Sequence, residues 1–161
     1  MWCIGELTEE YRPRMYELLA LYARPYDPAE PAICIDEKTT QLPRETQRLL
    51  RGKLRVPPRQ DYEYERAGTC NIFVAVEPRG GTRLVQVTEP PTNENFLSFV
   101  SRMLRRGYSE ARKVRLLLDN LNAYLRAGFV EVLGKDATTI LRPMPFHYCP
   151  VHASWLNMAE S

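Results

Sequence analysis

Two short apolar runs that each end in an aspartate constrain this chain more than any other feature. AICID ends at Asp36, and VRLLLD ends at Asp119. Continuous apolar runs of this length are typical of strands that are buried on both faces of a sheet. Ligand sites in open α/β sheets lie beyond the carboxyl ends of such strands. If these two strands are parallel neighbours, the two carboxylates meet at one edge of the sheet.

Two neighbouring carboxylates at a strand end predict a cation site. They repel each other, and one keeps its proton unless a cation lies between them. Carboxylate oxygens suit Mg²⁺, which proteins hold with one or two carboxylates plus phosphate oxygens. The structural alternative for each aspartate alone is a cap of the following turn, or an ion pair with Lys38 or an arginine. The repetition of the pattern favours the metal site.

Hydrophobic periodicity predicts a mixed α/β sheet with helices on both faces. Residues 8–24 give an amphipathic helix whose apolar face holds Tyr11, Met15, Leu18, Leu19 and Tyr22. The other predicted elements are strands that begin at residue 32 and cover 70–78, 82–89, 114–120 and 145–150, with helices at 92–106, 123–133 and from 154 onward. The stretch 42–60 is polar, basic and broken by prolines, so we expect an exposed loop there.

Composition limits the class of protein but does not identify it. The chain has 161 residues, which is enough for one domain with its own core. The 22 basic and 20 acidic residues leave a net charge of +2, which is too small to argue for nucleic-acid binding by itself. No apolar run has the length of a membrane span, and the N-terminus does not resemble a secretory signal. We therefore expect a cytoplasmic protein whose four cysteines are reduced thiols.

Two competing site motifs fail on spacing. The segment HYCPVH contains His147, Cys149 and His152, but the spacing is not that of a zinc finger and no second Cys/His pair supplies the remaining ligands. The Gly52–Lys53 pair lacks the upstream glycine and the following Ser or Thr of a phosphate-binding loop. Neither structural zinc nor nucleotide hydrolysis is favoured.

Three motifs in order, IDEK, DNLN and SWLNMAE, resemble a known family. The chain is similar, from residue 2 to residue 161, to bacterial transposases of insertion sequence family six-thirty, the relatives of the mariner transposases. The resemblance implies a ribonuclease-H-like catalytic domain with a mixed five-stranded sheet. It also implies a catalytic, metal-binding triad of two aspartates and a third acid. By motif match, the triad is Asp36, Asp119 and Glu160.

The resemblance further implies phosphoryl transfer with two Mg²⁺ or Mn²⁺ ions about 4 Å apart, in which DNA is cut at insertion-sequence ends and joined to a target. Expected partners are DNA, a second copy of the chain or a full-length transposase, and no membrane; the expected location is the bacterial cytoplasm, at the nucleoid. Expected DNA contacts are Lys38, Lys53, Arg55, Arg59, Asn122 and His152. Two features have structural alternatives: a solvated helix face for Arg102, Arg105 and Arg106, and a core anchor, which is favoured over base stacking, for Trp155.

The chain departs from the family pattern in three places. Tyr124 replaces the histidine that usually follows DNLN. We expect one catalytic domain over 1–161, with a leading helix and linker at 1–31 and without a DNA-reading N-terminal domain. We also expect a truncated C-terminal helix that holds Glu160 poorly.

Two functions follow from these departures, namely an active DDE transposase or an inactive remnant that binds DNA or intact transposase. A general ribonuclease-H-like nuclease is a third alternative. The motif SWLNMAE disfavours it, because an unrelated nuclease of this fold is not expected to carry that segment.

Overall fold

The chain folds into a single mixed sheet with helices packed on it. The structure, a computed structural model, describes residues 8–45, 64–89, 92–119 and 144–160. The apolar runs at 32–35 and 116–118 lie in strands, and the amphipathic segment 93–107 forms a helix. In chain order the described elements are α1 (Tyr11–Ala23), β1 (Ala32–Glu45), β2 (Tyr64–Glu77), β3 (Thr82–Thr88), α2 (Asn93–Gly107), β4 (Arg115–Leu118), β5 (Phe146–Tyr148) and a 3₁₀ helix (Ser154–Leu156).

The strand order of the sheet is β3-β2-β1-β4-β5. β2 pairs antiparallel with both β1 and β3. On the other side of β1, β4 pairs with β1 in parallel, and β5 pairs with β4 in parallel. In the parallel pair, Ile33 lies opposite Leu116 and Ile35 lies opposite Leu118. The predicted five-stranded mixed sheet is confirmed.

Among the described elements, α2 packs on one face of the sheet and α1 on the other. Because side chains alternate along a strand, Ile33 and Ile35 of β1 face α2, whereas Cys34 faces α1. The α2 side is the larger core and contains Phe73, Phe96, Phe99, Val100, Met103, Leu116 and Leu118. The α1 side contains Leu18, Leu21, Cys34, Leu117, Cys149, Ala153 and Leu156. Helices therefore lie on both faces, as the sequence predicts.

Local chemistry explains where α2 begins and how the chain turns from β2 into β3. The side chain of Thr92 caps α2, since its Oγ1 accepts a hydrogen bond from the Asn95 N–H at 3.2 Å. The turn between β2 and β3 needs a left-handed residue, and Gly81 supplies it with a φ of 70°. The Gly81 N–H also donates to the carbonyl oxygen of Glu77 at 2.8 Å, which closes the turn.

The loop predicted over 42–60 is wrong in its first residues. β1 runs through to Glu45 and pairs with β2 as far as Tyr64. The register shifts between Gln41 and Pro43, which lets the ladder continue past a residue that has no N–H to donate. Residues 46–60 lie outside the described part of the chain.

Two helix predictions also need correction. Leu19 was placed on the buried face of the first helix, but it is exposed, and the buried residues of α1 are Leu18 and Leu21. The α-helix predicted from Ser154 is replaced by the 3₁₀ helix, after which the backbone at Asn157 is extended. The helix predicted over 123–133 lies outside the described residues.

We expect the substitution Phe99→Ala to lower the free energy of unfolding by about 3–5 kcal/mol, because it leaves a cavity where α2 meets the sheet. Phe99 is fully buried, and its ring stacks on that of Phe73 with 5.5 Å between centroids. Urea unfolding measures the change. The control is Ser98→Ala on the exposed side of α2, which we expect to change stability by less than about 0.5 kcal/mol. A small loss in the Phe99 variant would contradict this core.

Candidate active site

The parallel pairing of β1 and β4 brings two aspartates together. The last paired residues are Ile35 and Leu118, and the next residue along each strand is Asp36 and Asp119, respectively. The strands run in the same direction, so both carboxylates lie at the same edge of the sheet. Both residues are half-buried. The sequence predicted this proximity, and the register accounts for it.

A third carboxylate reaches the same place from the C-terminal segment. Glu160 follows the 3₁₀ helix and lines a cleft of about 650 Å³ together with Asp36 and Asp119. The N–H of Glu160 donates to the carbonyl oxygen of Asn157 at 3.0 Å, which folds the segment back toward β1. The remaining lining residues are Glu37, Lys38, Thr39, Ile72, Val74 and Ala159. All three residues of the predicted triad therefore border one cleft.

The carboxylates around the cleft affect the pKa of the Cys149 thiol. Cys149 is fully buried, and its N–H donates to the carbonyl oxygen of Leu118 at 3.0 Å, next to the end of β4. Burial raises the pKa of the Cys149 thiol to about 12, and the negative charges of Asp119, Glu160 and Asp36 contribute to the rise. The fields of the three carboxylates therefore add at one point beneath the cleft.

Glu37 brings a fourth carboxyl group to the wall of the cleft. Its carboxyl accepts a hydrogen bond from Asn71 Nδ2, and Thr39 Oγ1 donates to Asn71 Oδ1 at 2.6 Å. Partial burial raises the pKa of Glu37, the bond from Asn71 opposes the rise, and the neighbouring charge of Asp36 adds to it. Asn71 is itself buried, so this group is held in place between β1 and β2.

The chemistry of these residues fits a divalent cation. Within the described residues no three His, Cys, Asp or Glu side chains are gathered closely enough to hold a metal ion as they stand. The two strand-end aspartates still provide the one or two carboxylates with which proteins hold Mg²⁺, and Glu160 provides a third from the C-terminal segment. No ion pair between described residues neutralises Asp36 or Glu160. A hard cation that takes its other ligands from phosphate or water oxygens suits such a set.

The predicted DNA contacts are placed only in part. Lys38 is exposed and lines the cleft, on the same face of β1 as Asp36. His152 is exposed and has a φ of 63°, in the turn that precedes the 3₁₀ helix. Lys53, Arg55, Arg59 and Asn122 lie outside the described residues, as does Tyr124.

Three further side chains from the sequence predictions are placed by the structure. Trp155 is 57% exposed, so the favoured prediction of a core anchor is wrong. Arg105 and Arg106 are exposed in the last turn of α2, where positive charge complements the helix dipole. Their position fits the structural alternative of a solvated helix face.

The sequence reading missed the residues that hold the site together. Asn157 is 1% exposed and donates to the carbonyl oxygen of Ile35 at 2.9 Å. Tyr22 donates to the carbonyl oxygen of Leu156 at 2.7 Å. Such long-range contacts of a side chain with a backbone carbonyl leave no periodic pattern. The one available signal was a polar residue, Asn157, between apolar neighbours in the motif SWLNMAE.

The family match covers most of the chain. A sequence model of the family described as DDE superfamily endonuclease matches residues 31–161. No curated protein matches the chain.

In the described part of the chain, every helix is too short or too polar to cross a membrane.

Two solved structures share the fold. One, described as "Mos1 transposase paired-end complex with left transposon end", is 13% identical, with a TM-score of 0.53 over 98% of this chain and 47% of that chain. The other, "Crystal structure of the Mos1 mariner paired end complex with Mn", is 16% identical, with a TM-score of 0.51 over 91% of this chain and 45% of that chain. The present chain thus spans about half the length of each. At these identities the similarity concerns the fold alone, and it confirms the predicted ribonuclease-H-like class.

We expect the Cys149 thiol of the metal-free protein to remain protonated up to about pH 10, well above the ordinary cysteine value of about 8.5. Burial and three nearby carboxylates both disfavour the thiolate. The measurement is a pH titration of the Cβ chemical shift in protein labelled with ¹³C-cysteine. Exposure to urea provides the control, because unfolding should restore an ordinary midpoint. A folded-state midpoint near 8.5 would contradict the crowding of acids around this thiol.

Proposed function

The chain belongs to the DDE superfamily of endonucleases, and on that premise we propose that it is the catalytic domain of a transposase of insertion sequence family six-thirty. The proposed activity is metal-dependent cleavage of DNA and strand transfer, with DNA ends and target DNA as substrates. One observation carries the proposal. The β1–β4 register sets Asp36 beside Asp119, and Glu160 borders the same cleft.

In this proposal Asp36, Asp119 and Glu160 hold Mg²⁺ or Mn²⁺ ions, two of them in the complete site. When bound, the ions supply an activated water or DNA 3′-hydroxyl and neutralise charge on the phosphate that is attacked. The residues themselves have two tasks. They hold carboxylate oxygens at the two strand ends and on the C-terminal segment, and they line a cleft that is proposed to take up a phosphate backbone.

Lys38 is proposed to bind the DNA backbone beside the carboxylates. It lies two residues after Asp36 on the same face of β1, a separation of about 6.7 Å along the strand. Its ammonium offsets the repulsion that the acids exert on an approaching phosphate. Contacts of this kind position DNA without reading its sequence. The similarity of fold to a Mos1 transposase that was solved in complex with a transposon end supports DNA as the proposed substrate class.

An inactive remnant is the second candidate, and one observation favours it. The described residues do not hold a metal-binding group of three side chains as they stand. In that case the chain folds and associates with DNA or with an intact transposase, but it does not cut. The two candidates differ in whether the cleft takes up a divalent ion, so metal binding separates them.

We expect Asp36→Asn and Asp119→Asn each to reduce Mn²⁺-dependent nicking of a supercoiled plasmid to the level of the metal-free control. Each change removes one negative charge and one anionic ligand without changing side-chain size. The control is Glu110→Gln, an exposed acid that precedes β4 at the opposite end of the sheet, which we expect to leave nicking unchanged. Full activity in both aspartate variants would exclude the proposed site.

Titration calorimetry with Mn²⁺ distinguishes the active domain from the remnant. We expect binding by the unmodified chain and none by the double variant Asp36→Asn, Asp119→Asn, because the double variant keeps Glu160 as the only acid of the proposed triad, an exposed residue on the segment that follows the 3₁₀ helix. Binding that persists in the double variant would place the metal elsewhere. No binding by either protein would favour the remnant.

A further inference from the structure

Asn157 connects the strand that carries one carboxylate to the segment that carries another. Its Nδ2 donates to the carbonyl oxygen of Ile35, the residue directly before Asp36, at 2.9 Å. Its Oδ1 accepts a hydrogen bond from the Ala159 N–H at 3.1 Å, directly before Glu160. Its own carbonyl oxygen accepts from the Glu160 N–H at 3.0 Å. One buried residue thus contacts the backbone next to, or at, both acids.

The hydrogen bond between Asn157 and Ile35 lies at the end of the parallel pairing of β1 with β4. β1 and β4 pair from Ala32 with Arg115 to Ile35 with Leu118. Asn157 therefore bonds to β1 at the last paired residue, immediately below the cleft. At 1% exposure its amide has no access to bulk water. A buried amide without partners is costly, so the position favours the one conformation in which both ends of the side chain are bonded.

A second side chain holds the same segment from the other side. The Tyr22 hydroxyl, on α1, donates to the carbonyl oxygen of Leu156 at 2.7 Å and lies 3.2 Å from Cys34 Sγ. Cys34 is on β1, two residues before Asp36. The segment is thus fixed at two consecutive residues, 156 and 157, whereas the side chains of Met158 and Glu160 remain exposed.

We propose that Asn157 is a positioning residue that sets the spacing between Glu160 and Asp36, so that one cation can take ligands from both. The inference rests on the proposed function, because it gives Glu160 its role as a metal ligand. It explains how a carboxylate on a segment without an α-helix is held in place. Side chains that orient metal ligands in this way commonly change metal affinity by about 10- to 100-fold when they are removed.

The test is Mn²⁺ titration calorimetry on Asn157→Leu, Glu160→Gln and the double variant. Leucine keeps the branching and the number of heavy atoms of the side chain and removes both of its hydrogen bonds. We expect Asn157→Leu to weaken Mn²⁺ binding about 10- to 100-fold. If Asn157 acts through Glu160, the two losses do not add, so Glu160→Gln costs nothing further in the Asn157→Leu background. A residue that only stabilises the fold would give additive losses.

Two further variants and the unmodified chain complete the test. Met158→Leu, an exposed change in the same segment, is expected to keep the affinity of the unmodified chain. If Asn157→Leu does not fold by circular dichroism, Tyr22→Phe takes its place, because it removes the other bond to this segment. It is expected to give the same non-additive loss with Glu160→Gln. Full affinity or additive losses would overturn the inference. Absence of Mn²⁺ binding in the unmodified chain would instead overturn the proposed function, and the inference with it.

Discussion

The site depends on four residue pairs between two strands that are distant in sequence. β1 and β4 pair in parallel only from Ala32 to Ile35 and from Arg115 to Leu118. Those few pairs are buried on both faces, by α2 on one side and by α1 on the other. Two strand ends are therefore held at a fixed spacing with little freedom to slide, since a shift by one residue would turn every side chain to the wrong face. This register therefore fixes the relative position of Asp36 and Asp119.

Among the described residues, the cleft combines several carboxylates with one positive group, Lys38. Asp36 and Asp119 lie on the sheet, Cys149 lies beneath them, and Lys38 lies further along β1. Negative potential of this density attracts cations and repels phosphates. Under the proposed function, a phosphate backbone is therefore expected to enter on favourable terms only after a cation has been bound.

Sequence reasoning succeeded where one local pattern carries the information. An apolar run that stops at an aspartate encodes both a buried strand and the position of its end, and Asp36 and Asp119 could be paired on that ground alone. The 3.6-residue period of α2 is equally local, and the helix predicted over 92–106 is found at Asn93–Gly107. The resemblance added Glu160, which no periodic pattern identifies.

Prediction failed where the determining contact is long-range. The extension of β1 past Pro43 depends on pairing with β2, and neither segment shows strand periodicity there. Leu19 is apolar and correctly spaced, but the sheet contacts the other side of α1. The segment after Ser154 leaves helical geometry because Asn157 bonds to a carbonyl 122 residues away. Local propensity contains no information about such a partner.

The wide separation of the three carboxylates along the chain has a consequence for biosynthesis. A growing polypeptide acquires Asp36 first, then Asp119 in its partner strand, and the last carboxylate only with residue 160. Until β4 has been made, β1 has no parallel neighbour. Sheets whose strands pair across long sequence separations fold slowly, and hydrophobic surface is exposed until they pair. An intermediate that lacks β4 therefore has no complete cleft and exposes apolar residues of β1 that are buried in the folded chain.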